Sequence, residues 1–267
     1  MQYATPTATA RRDPVLTIGV PAGLLALAAA GWWWSARMAG DMTGGGTAGE
    51  TTGGGMGGMH SMETTLSLGG FAVAWVAMMA AMMFPAVLPV VKLYGRAAAK
   101  GTVAPLPFFA GGYLLVWSAF ALPAYFAWRE LMMPIAEGQA WAGRLAGATF
   151  LAAALWQVTP LKTACLRHCR SPLAFFLRHG PKAKTPAGAL RMGVAHGGFC
   201  FGCCWALFAV LVTLGTMSLL WMALLAGLIM LEKLAPRGEQ IALAGALALA
   251  AVGTVLLADP SAIASLT

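Results

Sequence analysis

A helix of roughly 20 mainly apolar residues is long enough to cross the hydrocarbon core of a bilayer, about 30 Å thick. This chain of 267 residues contains seven stretches that approach or exceed that length: Val15 to Met38, Leu66 to Val91, Leu106 to Trp128, Leu145 to Leu161, Met192 to Leu214, Met217 to Leu234 and Ile241 to Ala258. The fourth, which holds Gln157, is the shortest, and Trp32, Trp33 and Trp34 form an interfacial belt at one end of the first. With 59% apolar and 10% charged residues and a mean hydropathy of +0.74, the chain lies outside the range of water-soluble globular proteins. The fold class it specifies is all-α, a polytopic transmembrane bundle of about seven helices.

Lys and Arg alternate between the connections as the positive-inside rule describes. Arg11 and Arg12 precede the first span, and Lys92, Arg96 and Lys100 follow the second. Lys162, Arg167, Arg170, Arg178, Lys182, Lys184 and Arg191 follow the fourth, and Lys233 and Arg237 mark the end of the sixth. The intervening connections hold only Arg37, then Arg129 and Arg144, then none. The amino terminus is therefore expected to be cytoplasmic and the carboxyl terminus outside. This topology accounts for the net charge of +8; the expected partner of the basic loops is the lipid bilayer, and no nucleic acid is implied.

The first apolar stretch exceeds a typical signal-peptide core and no clear small-residue cleavage site follows it, so it is expected to stay as an anchor helix within residues 1–38. Residues 39–65 are rich in Gly, with Thr and Met, a composition that suits an external linker. A membrane core holding the second to sixth helices is expected over 66–238, and a closing membrane helix over 239–267.

The five cysteines, together with His168 and His196, all fall between Cys165 and Cys204. Spacings of three and four put Cys165, His168 and Cys169 on one face if the fourth helix continues past Leu161. His196, Cys200 and Cys204 recur at i, i+4 and i+8, with Cys203 between them angularly, so the four occupy an arc of about 100°. Counted from Met192 at about 1.5 Å per residue, His196 lies roughly 6 Å and Cys204 roughly 18 Å into the membrane. Glu232, near the end of the returning sixth helix, comes back to a depth like that of His196, where a carboxylate is costly unless paired. A neighbouring His, a metal or Lys233 would serve.

Thiolates and thioethers favour copper(I), and a Cys and His set of four also suits zinc. The second span adds thioethers at Met78, Met79, Met82 and Met83, two i, i+4 pairs about halfway across, with Pro85 and Pro89 expected to kink the helix just beyond them. In the linker, Met56, Met59, His60 and Met62 add further soft groups. Plainer roles stand beside these. Methionine in apolar helices is ordinarily packing material, Cys165, His168 and Cys169 could be simple interfacial residues, and His179, beside Gly180 and Pro181, is expected to be solvated. Three cysteines within five residues, aligned with a histidine, favour a ligand or redox role.

Four motifs carry a family resemblance: MMAAMMFP at Met78 to Pro85, QVTPLKTACLRHCRSP at Gln157 to Pro172, RMGVAHGGFCFGCCW at Arg191 to Trp205 and LEKLAP at Leu231 to Pro236. Over residues 66 to 238 the chain resembles a bacterial family of predicted metal-binding integral membrane proteins, domain of unknown function 2182. The resemblance implies metal handling at a bacterial inner membrane. Its motif positions are Met78, Met79, Met82, Met83, Cys165, His168, Cys169, His196, Cys200, Cys203, Cys204 and Glu232.

Three functions compete on this reading. The first is a copper-type metal-handling protein, either a transporter or a membrane chaperone, with zinc as the alternative ion. The second is a membrane thiol oxidoreductase exchanging electrons with a quinone or a protein partner. The third is an accessory subunit of a larger membrane complex. No nucleophile triad, catalytic carboxylate pair or nucleotide motif points to a hydrolase or ATPase, and there are only nine acidic residues.

Overall fold

The computed structural model describes residues 19–43, 68–214 and 218–266. Most of the glycine-rich linker, with Met56, Met59, His60 and Met62, lies outside the described residues, as do Val15 and Met217. Among the described residues the secondary structure is helical throughout, with no strand. The helices of eight residues or more are α1 (Val20–Thr43), α2 (Leu68–Ala99), α3 (Leu106–Ala119), α4 (Ala121–Ala136), α5 (Ala140–Gln157), α6 (Pro160–Arg170), α7 (Pro172–His179), α8 (Pro186–Thr213), α9 (Leu219–Leu234) and α10 (Gly238–Ala258).

Local chemistry sets the boundaries that matter for the site. Pro160 disfavours a helical conformation at Thr159, which is extended at φ −72° and ψ 146°, and the Thr159 hydroxyl then accepts the Lys162 N–H as an N-cap. The fourth predicted helix therefore stops at Gln157, and α6 starts anew at Pro160. The stretch from Leu145 to Leu161 is thus divided between two helices, and Cys165, His168 and Cys169 lie on the second. Thr185 and Pro186 start α8 in the same way, with the Thr185 side chain accepting from Gly188 N–H. The fifth helix thus begins six residues before the predicted Met192. Its predecessor in the bundle also differs: the third stretch is two helices, α3 and α4, meeting at Phe120. By contrast, α2 passes through Pro85 and Pro89 and remains helical to Ala99.

Among the described residues, four helical segments are long and apolar enough to cross a membrane: Leu68–Ala99, Leu106–Ala136, Pro186–Thr213 and Gly238–Ala258. In α2 and α8, 56% of the most apolar stretch is buried inside the bundle, against 28% for α3–α4 and 33% for α10. The first two are therefore the inner helices, and they bear the Met and Cys motifs. α9, at 16 residues, is shorter and ends on two buried charged side chains, Glu232 and Lys233.

α8 is the hub, packing on α3, α4, α5, α6 and α9. Its contact with α3 depends on glycine. A Cβ at Gly112 would meet the Leu190 carbonyl oxygen, and one at Gly193 would meet that of Phe109, so each backbone lies directly on the other. α6, with Lys162, Arg167, His168 and Arg170 in 11 residues, is polar and lies along α8.

Candidate metal centre

Cys200, Cys203 and Cys204 lie on the inward face of α8 and are 0–1% exposed. Two of them bend back on the first turn of the motif. The Cys203 thiol donates to the Cys200 carbonyl at 3.0 Å and the Cys204 thiol donates to the same oxygen at 2.8 Å. Those two bonds bring sulfurs of adjacent residues to 3.9 Å, although neighbouring side chains on a helix ordinarily diverge.

Other helices extend the cluster. From α6, Cys169 Sγ lies 4.0 Å from Cys203 Sγ; from α2, Met83 Sδ lies 4.0 Å from Cys200 Sγ. From α3, the Tyr113 hydroxyl is 3.2 Å from Cys200 Sγ. From α9, Lys233 Nζ donates to Cys200 Sγ at 3.0 Å and lies 3.7 Å from Met83 Sδ and 4.0 Å from Cys204 Sγ. All five cysteines are free thiols. In α6, hydrogen bonding to the sulfurs of Cys200 and Cys203, reinforced by burial, raises the Cys169 thiol well above its ordinary range, and burial raises that of Cys165.

The predicted residues divide into those brought to the cluster and those held elsewhere. Cys165 packs on the next turn of the same interface, its sulfur against the Cα of Gly202, where any Cβ would come to 2.8 Å. His168 does not face the sulfurs: its ring stacks on Phe199 at 4.3 Å and 5°, with Nδ1 on the Ala164 carbonyl. Met78, Met79 and Met82 are buried in the hydrophobic core, and Met83 reaches Cys200. His179, expected to be solvated, is half-buried and stacks on Phe175 at 4.5 Å.

Glu232 has a partner that the sequence reading did not assign. Lys162 Nζ donates to its carboxylate at 2.7 Å and Gln157 Nε2 donates at 2.8 Å, with both ions of the pair at most 2% exposed. Neither a histidine nor Lys233 fills that role, and the carboxylate is already engaged. Arg170 locks the geometry by donating to the carbonyls of Glu232, Ala235 and Pro236, which caps the end of α9. In the sequence, Lys162 and Arg170 count only as charges of a basic connection. Tyr113 gave no signal, since a lone tyrosine in an aromatic-rich helix has no distinguishing spacing.

His196, one turn before Cys200, is 1% exposed and lies among the rings of Phe109, Tyr113 and Phe175, and neither ring nitrogen has a hydrogen-bond partner. A buried imidazole left in that state is unusual in a folded protein. Among the described residues no group of three or more His, Cys, Asp and Glu side chains is arranged to hold a metal ion. What is present instead is a series of sulfur pairs. Two sulfurs bound to one metal at roughly 2.3 Å lie about 3.8 Å apart at a tetrahedral angle and about 4.6 Å apart when opposed. The observed spacings of 3.9 and 4.0 Å are therefore compatible with a shared soft ion.

No curated protein and no solved structure matches this chain. Residues 72–256 match the family PpoB2, described as a copper chaperone. That match takes in α3 through α9 and most of α2 and α10. The chain belongs to the PpoB2 copper chaperone family.

Proposed function

We propose that this protein binds copper(I) within a multi-pass helical bundle of the bacterial inner membrane and delivers it by ligand exchange between sulfurs. The observation that carries the reading is the sulfur series itself. It runs from half-buried Cys169 through Cys203 and Cys204, past the Lys233 ammonium, to Cys200 and fully buried Met83. Thiolates and a thioether are ligands that suit copper(I). A pairwise arrangement suits an ion content with two sulfurs, whereas structural zinc calls for four ligands at once. Cys169 is the entry or exit position, and His196 is available to add a nitrogen ligand beside Cys200. Glu232, held by Lys162 and Gln157, serves as the anchor of α9 in this reading. The alternating Lys and Arg of the connections support seven spans with the amino terminus inside.

The test is an anaerobic copper(I) titration of the purified protein against a chromophoric chelator. The unmodified protein is expected to take up copper(I), and the triple variant Cys200→Ser, Cys203→Ser, Cys204→Ser is expected to lose that uptake. Equal stoichiometry in the two would overturn the reading. Delivery is tested by moving the bound ion to a second chelator with and without Cys169→Ser, which should slow release without abolishing binding.

A further inference from the structure

The Lys233 side chain is 6% exposed and its ammonium lies on three sulfur atoms, those of Cys200, Met83 and Cys204. A buried cation ordinarily has a carboxylate beside it. Among the described residues the ion pairs are Lys162 with Glu232 and Arg167 with Glu239, so no carboxylate forms a salt bridge with Lys233. Its sequence neighbour Glu232 is turned to Lys162 and Gln157 instead. Lys233 thus places its ammonium inside the soft-ligand cluster, against sulfurs and not a carboxylate.

We propose that Lys233 is a specificity-determining residue that tunes this centre to a monovalent soft ion and against divalent zinc. The proposal rests on the reading of the cluster as a copper site and follows from charge. When Cys203 and Cys204, whose sulfurs lie 3.9 Å apart, bind an ion, two sulfur–metal bonds form, any protons on those thiols leave to solvent, and no electron moves. The two thiolates contribute two negative charges and Lys233 contributes one positive charge. Copper(I) brings the buried ensemble to neutrality, whereas zinc(II) leaves it with an uncompensated positive charge. In a low-dielectric interior that residual charge is strongly disfavoured. Without the ammonium the preference reverses, because a divalent ion then balances the two thiolates and a monovalent ion does not.

The experiment measures copper(I) and zinc(II) affinities of the purified full chain by chelator competition, without air, for the unmodified protein, Lys233→Arg, Lys233→Met and Lys233→Gln. The unmodified protein and Lys233→Arg should keep the copper(I) preference. Lys233→Met and Lys233→Gln should shift the ratio of the two affinities toward zinc by about tenfold or more, as expected when a buried charge loses its counter-ion. Either uncharged variant suffices if the other does not fold. Copper(I) binding with an unchanged ratio in a folded uncharged variant overturns the role of Lys233 and leaves the copper site standing. Failure of the unmodified protein to bind copper(I) overturns the copper reading itself.

Discussion

Lys162 Nζ lies 2.7 Å from a carboxylate oxygen of Glu232, joining residues 70 positions apart in the sequence across the α6–α9 contact. This buried ion pair, with Gln157 and Arg170 around it, fixes the end of α9 and so the position of Lys233 over the sulfurs.

Breaking that pair on one side should be costly, because the remaining charge has no water to turn to. Lys162→Met or Glu232→Met alone is expected to destabilise the protein by about 3–5 kcal/mol. The double replacement should recover most of the loss, since neither charge is then stranded. Thermal unfolding in detergent, compared as a double-mutant cycle, measures both effects; equal losses in single and double variants would count against the pairing.

The contact of α6 with α8 makes a second expectation. Cys169 and Cys203 are 4.0 Å apart through their sulfurs and come from different helices. Mild oxidation with diamide should join them, and mass spectrometry of the digested protein should find that linked peptide. Replacing Cys169 by Ser should remove the cross-link.

Close packing of α3 on α8 makes a third. Gly112→Val or Gly193→Val would force side-chain carbon onto a carbonyl of the facing helix, costing about 1–3 kcal/mol by overpacking and moving Tyr113 off Cys200. Both stability and copper(I) affinity should fall together. Gly198→Ala, where a Cβ meets nothing within 4 Å, should leave both unchanged.

Part of the centre could be read from the chain and part could not, for physical reasons that differ by residue. Cys200 and Cys204 share a face because helical periodicity is local, so their spacing announced it. The approach of Cys169 and Met83 depends on which helices pack together, and nothing in either motif's spacing encodes that. The break before α6 was legible in hindsight from Thr159 and Pro160, a capping pair. Its consequence is large, since it frees α6 to lie along α8. Lys162 counted correctly as a positive charge beside a membrane span, but a charge count cannot distinguish a solvated lysine from one buried against Glu232. His168 matched the spacing rule, yet its ring stacks on Phe199, a contact between helices that spacing within one motif does not encode.

The most direct test of the sulfur-bound copper(I) centre is X-ray absorption at the copper edge of the loaded protein. The expected spectrum is that of copper(I) with sulfur neighbours at about 2.2–2.3 Å, close to other metal–thiolate bonds, and it should be lost on replacing Cys200 and Cys204 by Ser. A first coordination sphere made only of nitrogen and oxygen, or an unchanged spectrum in that double variant, would contradict it.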